Sequence, residues 1–308
     1  QAVEVHRAAL GELPIRLRFL IEGEEEAGSQ NLGRLLAQEP GLVDGTGALK
    51  EGGGVDAAGR PQVLLGNKGI FYCELRARTM SRDAHSGGAT HLPNAAWRLV
   101  AALRTILADD GRVLVEGFYD RVRRPTEEER AYVRGLPFEA ETTKRVYAIE
   151  RFAFGRGLIG GYTGPGSKTV IPSEATAKID FRLVPDQDPE EVARLLRAHL
   201  DRHGFADIDL RASEGEHPYR GPMDDPLVRA ACAAAEEAFG KRPTVVPTSG
   251  GTAPMWLVSH THRLANVTLG AAHHDSRAHA PDEHILLENY WKALRAMTRL
   301  YSLYATQA

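Results

Sequence analysis

The sequence is poor in cysteine, with only Cys73 and Cys232 among 308 residues. Two thiols cannot build a disulfide framework, so a reducing, cytoplasmic compartment is expected. No apolar run approaches the ~20 residues that span a bilayer, and no basic, apolar and small-residue succession marks a signal peptide. Positive charge is not in excess: 38 Lys and Arg stand against 41 Asp and Glu, a formal net charge of -3. That balance excludes a strongly basic nucleic-acid binder and a polybasic membrane-surface protein. There is no internal repeat, no Walker loop, no His-Glu-x-x-His helix and no Gly-x-Ser-x-Gly elbow. Residues 2 to 10 read as a helix ending at Gly11, but nothing before Gln1 caps its start. The reading therefore expects upstream sequence to be missing.

What remains is a chain with 43% hydrophobic residues, long enough for one large domain or two ordinary ones. Ile15, Leu17, Phe19 and Ile21 alternate with Arg16 and Arg18 and predict a strand; Leu32 to Leu36 predict a helix. A strand, an acidic turn and a helix are the parts of an α/β layer, whose sites lie beyond the carboxyl ends of strands. In the middle, Phe71, Cys73, Leu75 and Ala77 predict a half-polar strand, as do Ala177, Ile179, Phe181 and Leu183. Between them a helix is predicted with Trp97, Val100, Leu103, Ile106 and Leu107 on its apolar stripe. A second helix carries Val192, Leu195, Leu196, His199 and Leu200. This order predicts an α+β domain whose antiparallel sheet is covered on one side. The charged residues 109–150 read as a solvated insertion. After Gly221, a helix over 226–239, a strand over 264–269 and a closing helix from about Asp282 restore the α/β pattern.

Six of the twelve histidines crowd into residues 260–284: His260, His262, His273, His274, His279 and His284. The bias points to metal or proton chemistry. His279 stands out, in a loop after a predicted strand and before Pro281. Glu24, Glu25 and Glu26 are the second signal, set where a strand ends between Gly23 and Gly28. Adjacent glutamates there can divide labour, one ligating a cation and one moving a proton. Gly250, Gly251 and Thr252 can present a hydroxyl and backbone N–H groups. Residues 155–160 match a dinucleotide fingerprint by letter, but Gly161, Gly164, Pro165 and Gly166 follow, and the helix it needs cannot form.

Glu22-Gly23-Glu24-Glu25-Glu26-Ala27-Gly28-Ser29 resembles the signature of the co-catalytic zinc metallopeptidase family that includes carnosinase, cytosolic nonspecific dipeptidase, aminoacylase, acetylornithine deacetylase and carboxypeptidase G. Asp83-Ala84-His85-Ser86-Gly87, Lys168-Thr169-Val170-Ile171-Pro172, Phe181-Arg182-Leu183-Val184-Pro185, Gly250-Gly251-Thr252-Ala253-Pro254 and Ala278-His279-Ala280-Pro281-Asp282-Glu283 continue the likeness in order. The resemblance implies an α/β catalytic domain with a mixed sheet flanked by helices, incomplete at its N-terminus, over residues 1–67 and 220–308. An α+β, ferredoxin-like dimerisation (lid) domain would be inserted at 68–219. It implies hydrolysis of the amide bond of dipeptides or short peptides by a hydroxide held between two divalent ions, zinc with manganese or cobalt as alternatives. Glu25 would be the general base. Glu26 and His279 would ligate one metal, and Glu51 (or nearby Asp44) the other. His85 would stabilise the oxyanion across a homodimer, Arg182 would hold the substrate carboxylate, and Thr169 and Thr252 would add hydrogen bonds. An N-acyl-amino-acid deacylase, or a non-catalytic member without metals, is the alternative. The family's His-x-Asp motif and its bridging Asp followed by Lys-Gly belong upstream of the Glu-Glu motif, and neither occurs there in this sequence. The expectation is that they cannot alone hold a functional dinuclear centre.

Overall fold

The computed structural model describes residues 1–150, 170–213, 215–261 and 263–307. By its contacts the chain divides into two compact units: Gln1–Lys68, Pro125–Arg151 and Tyr219–Ala308 form the first, Gly69–Arg124 and Phe152–Pro218 the second. Pro125–Arg151, which the sequence reading put inside a middle domain at 68–219, belongs to the first unit. Its helix Glu127–Gly135 is tied there by Tyr132, whose hydroxyl donates to the Val245 carbonyl at 2.7 Å. An ion pair from Arg220 to Glu129 at 3.1 Å adds a second tie.

The first unit is built on a mixed sheet in the order Gly47–Glu51, Ala265–Leu269, Gln62–Leu64, Thr244–Val246. Gly47–Glu51 runs parallel to Ala265–Leu269, which meets Gln62–Leu64 antiparallel. Ala265–Leu269 is buried at every position, as a central strand covered on both faces must be. Helices Pro226–Phe239 and Leu287–Ala305 pack together in the same core. The row Ala231, Ala234, Ala235 and Ala238 keeps the first helix slim enough for close approach. Asp225 caps that helix by accepting the Leu227 N–H at 2.8 Å, Pro226 opens it, and Gly240 closes it at φ 66°. Two glycines let the strand ends converge. A Cβ on Gly54 would lie 2.0 Å from the Ala272 carbonyl oxygen, and one on Gly270 would lie 2.3 Å from that of Gly52.

The expected strand over residues 15–21 is absent; that segment is irregular. Its period-2 pattern is used without a ladder. Leu13, Ile15 and Leu17 pack on the core, while Phe19 and Ile21 stand 70% and 85% exposed. Alternation thus marks a one-sided contact here, and no described strand runs alongside it to take up its hydrogen bonds.

The second unit is an antiparallel sheet ordered Glu174–Leu183, Gly69–Arg78, Asp209–Ala212. Phe71, Cys73, Leu75 and Ala77 are buried at 1% exposure or less, on the face covered by helices Ala95–Ile106 and Pro189–Arg202. Each large apolar side chain so buried contributes ~1.5–3 kcal/mol. The stripe expected on the first of these helices holds at Ile106, which is buried, and at Leu103, which packs on the core, and is corrected at two other positions. Trp97 is 72% exposed and Val100 42%, whereas Ala95, Leu99, Ala102 and Ile106 are buried. The small Ala95 and Ala102 meet the core where the bulkier Trp97 does not.

Candidate metal and catalytic centre

In the first unit, Glu22 to Ser29 form a tight acidic turn. Ser29, buried and at φ 49°, donates its hydroxyl to Glu22 at 2.7 Å. The Glu24 carboxylate accepts from the Asn31 backbone N–H at 3.1 Å and from its amide nitrogen at 2.7 Å. Glu25–Ala27 form one 3-10 turn closed by Gly28 at φ 86°. Glu22 and Glu24 therefore hold the turn, and Glu25 and Glu26 are carried on it.

His279 sits in a loop after the strands Ala265–Leu269 and Ala272–His273. The loop holds three non-glycine residues in the left-handed region: Arg277 at φ 55°, His279 at φ 62° and Asp282 at φ 63°. Such conformations persist only when neighbours impose them. Here the Ala280 N–H donates to the Arg277 carbonyl at 2.9 Å, Arg277 pairs with Asp282 at 3.3 Å, and the His284 N–H donates to Ser276 at 3.0 Å. The result brings His279 Nε2 to 3.6 Å from Glu26 Oε2, with the two side chains 77% and 80% exposed. An ion pair so exposed adds little to stability. The spacing suits another use: two ligands at 2.0–2.2 Å from one tetrahedral ion lie about 3.4 Å apart.

Glu51 ends the strand Gly47–Glu51, in register with Leu269 of its parallel neighbour. Both strands finish at the same sheet end, so Glu51 lies where the chain leaves for His279. Asp44 precedes the start of that strand, after the turn Pro40–Val43. A five-residue strand at ~3.3 Å per residue separates it from the Glu51 end. Thr252 is half-buried in the loop after Thr244–Val246. That loop is anchored by the Lys68 N–H on Gly251 at 3.0 Å and by the Asn67 amide on Ala253 at 3.0 Å.

The other predicted residues belong to the second unit. His85 is exposed in the short ladder Ala84–His85 with Val170–Ile171. Its Nδ1 accepts the Gly87 N–H at 3.1 Å, which puts the proton of the neutral ring on Nε2 and leaves that atom a donor. Asp83 beside it is fixed by the Ser173 hydroxyl at 2.6 Å. Residues 80–85 and Leu92 line a cavity of about 710 Å³. Arg182 lies on the sheet face opposite Phe181 and directs Nε to Asp180 at 3.1 Å. Thr169, His262 and the glycines of 155–160 lie outside the described residues.

One group escaped the sequence reading. Potential ligand atoms of Asp188, Glu190 and His217 lie within 4.8 Å of one another. Asp188 precedes Pro189 and is legible as a helix cap; it accepts the Glu191 N–H at 2.9 Å. Nothing in the sequence ties His217 to it. Burial raises the Asp188 carboxyl, but the backbone N–H groups at the helix start and the nearby His217 bring it below its usual range. A cation there would also face the positive end of the helix dipole.

A family model described as peptidase family M20/M25/M40 matches residues 1–302. Human Beta-Ala-His dipeptidase is 29% identical over 319 residues, covering 94% of this chain and 62% of the relative. The Cys-Gly metallodipeptidase of Schizosaccharomyces pombe is 25% identical over 330 residues, covering 96% and 67%. The chain thus spans less than two thirds of the human relative's length. Among solved structures, an M20 family metallo-carboxypeptidase from Sulfolobus solfataricus superposes with TM-score 0.86 at 36% identity, over 92% of this chain and 69% of that one. Human carnosine dipeptidase 1 gives 0.82 at 26%, over 99% and 70%.

Proposed function

The chain belongs to peptidase family M20/M25/M40, and from that premise we propose that it is part of a metal-dependent hydrolase cleaving the amide bond of dipeptides or short peptides. The observation that carries this reading is the 3.6 Å separation of His279 Nε2 and Glu26 Oε2 on two loops of the first unit. A borderline nitrogen and a hard oxygen at that spacing fit one divalent cation, zinc first, with manganese or cobalt acceptable. Glu51, at the same sheet end, is the donor for a second. Bound there, divalent ions supply Lewis acidity, lowering the pKa of water and polarising the scissile carbonyl.

The chain's own residues do the rest. Glu25, on the same turn as Glu26, takes the proton of the attacking water and delivers it to the leaving amine. His85 offers Nε2–H to the oxyanion; such a donor is typically worth ~2.7–4 kcal/mol. In this proposal the first unit is catalytic and the second is a dimerisation lid, so that His85 serves the partner's site in a homodimer. Arg182 must turn from Asp180 to receive the substrate carboxylate, with Thr169 and Thr252 adding hydrogen bonds. The free Cys73 and Cys232 agree with a reducing cytoplasm. The three donors Glu26, Glu51 and His279 fall short of two complete metal shells, so full activity requires ligands beyond them.

Hydrolysis of Ala-Ala against N-acetylalanine by protein that carries the further metal ligands, with and without a chelator, tests the proposal. Faster, chelator-sensitive cleavage of Ala-Ala is expected. Preference for N-acetylalanine would replace the peptidase by a deacylase. No cleavage of either by the protein loaded with zinc would leave a non-catalytic member of the family.

A further inference from the structure

In the first unit a cavity of about 530 Å³ lies between the glycine run that follows Glu51 and the helix Ala140–Tyr147. Its size is that of a small-molecule site, for which ~300–1,000 Å³ is usual. Gly53 and Gly54 bound it on one side and Ala272 to His274 on another. The helix covers it with Thr142, Thr143, Val146 and Tyr147, which at spacings of three and four share one face. No residue of this helix is buried, and Tyr147 is 72% exposed. An amphipathic helix ordinarily packs its apolar face on a core; this one turns it to an open cavity. Its place matters as well. Gly53 is two residues past Glu51 and so at most ~7 Å away along the chain, and His274 opens the loop that carries His279.

We propose that this cavity is the subsite for an apolar, non-acidic side chain of the substrate. The inference rests on the peptidase reading above and adds its specificity. The apolar wall comes from Val55, Leu136, Val146 and Tyr147. Among the described residues, Asp56 and Glu139 border the cavity beside His273 and His274, and no Lys or Arg does. Asp56 is already held by Arg60 at 2.7 Å, so Glu139 is the carboxylate that repels an acidic side chain. An aliphatic or aromatic side chain loses water there at little electrostatic cost, whereas a glutamate side chain would bring a second negative charge beside Glu139 with no lining Lys or Arg among the described residues to meet it.

The test is Val146→Trp, which fills the cavity from an exposed helix and spares the core, with Glu139→Lys as a charge-reversing companion. Two readouts are taken on each protein. The first is the ratio of kcat/KM for Leu-Leu to that for Gly-Gly. The second is saturation-transfer NMR of N-acetylleucinamide, an uncharged probe that needs no catalysis. Val146→Trp is expected to lower the ratio about tenfold or more, the scale on which hydrophobic pockets discriminate, and to abolish the probe signal. Glu139→Lys is expected to raise cleavage of Glu-Ala relative to Leu-Leu. An unmoved ratio, or probe binding to Val146→Trp as to the parent protein, overturns the proposal. Probe binding that Val146→Trp abolishes, in a zinc-loaded protein that carries the further metal ligands yet cleaves no dipeptide, supports the cavity as a site and overturns the peptidase reading instead.

Discussion

Replacing His279 by glycine separates a residue kept for stability from one kept for chemistry. Three small terms meet at this position. Releasing a non-glycine residue from φ 62° returns about 1 kcal/mol, the low end for such strain because histidine tolerates this region. The freer unfolded chain takes back roughly 0.5–1 kcal/mol. Losing an ion pair whose partners are 77% and 80% exposed removes no more than about 0.5 kcal/mol. The sum lies within about 1 kcal/mol of zero. His6 is the internal contrast: it is 1% exposed, its Nδ1 sits 3.1 Å from the Thr298 carbonyl, and its ring is 5.8 Å from that of Tyr301. Truncating it to alanine should cost about 2–4 kcal/mol through cavity and lost hydrogen bond. Urea unfolding followed by far-UV circular dichroism measures both. A midpoint for His279→Gly that falls as far as that of His6→Ala would refute the claim that His279 is held in its loop for something other than the fold.

Stability should also depend on pH through His199. Burial, reinforced by neighbouring His203, holds its pKa below the ordinary 6.5. The folded state then binds this proton less readily than the unfolded one, so its contribution is present above pH 6.5 and lost as the pH falls through the lowered folded value. His199→Gln should flatten that acid limb of the unfolding profile, and an unchanged profile would contradict the assignment. Leu196→Ala, at a site of 0% exposure in the second unit's core, should cost about 2–5 kcal/mol, read as a shift in urea midpoint. Burial pushes the Cys73 thiol up to about 12, so iodoacetamide should label it only after unfolding; labelling of the native protein would show the sheet face to be open.

Much of the fold was legible because its signals are local. The alternation in Gly69–Arg78 and Glu174–Leu183 reports a sheet buried on one face, and Asp188-Pro189 and Asp225-Pro226 announce helix starts. Residues 15–21 carry a similar pattern with no neighbouring strand among the described residues, which a period cannot reveal. Trp97 shows that size is a poor guide to which helical face meets a sheet. Pro125–Arg151 joins the first unit through Tyr132 and Arg220, contacts that composition does not encode. The acidic turn was legible from its bracketing glycines, yet which glutamates brace it depends on Ser29 and Asn31. That Glu51 ends its strand opposite Leu269 while Asp44 precedes the same strand follows from register and cannot be read from spacing alone. Asp188, Glu190 and His217 meet only in the folded chain.

The most direct test of the proposed centre is a zinc titration of the chain by competition with a chromophoric chelator, repeated on Glu26→Gln, His279→Gly and His217→Ala. Zinc affinity should fall at least about tenfold in the first two variants, as loss of a direct ligand exceeds the ~10–100-fold cost of losing a supporting one, and should be unchanged in His217→Ala. Zinc held equally by Glu26→Gln and His279→Gly, and lost from His217→Ala, would move the metal to the second unit and contradict the assignment of Glu26 and His279.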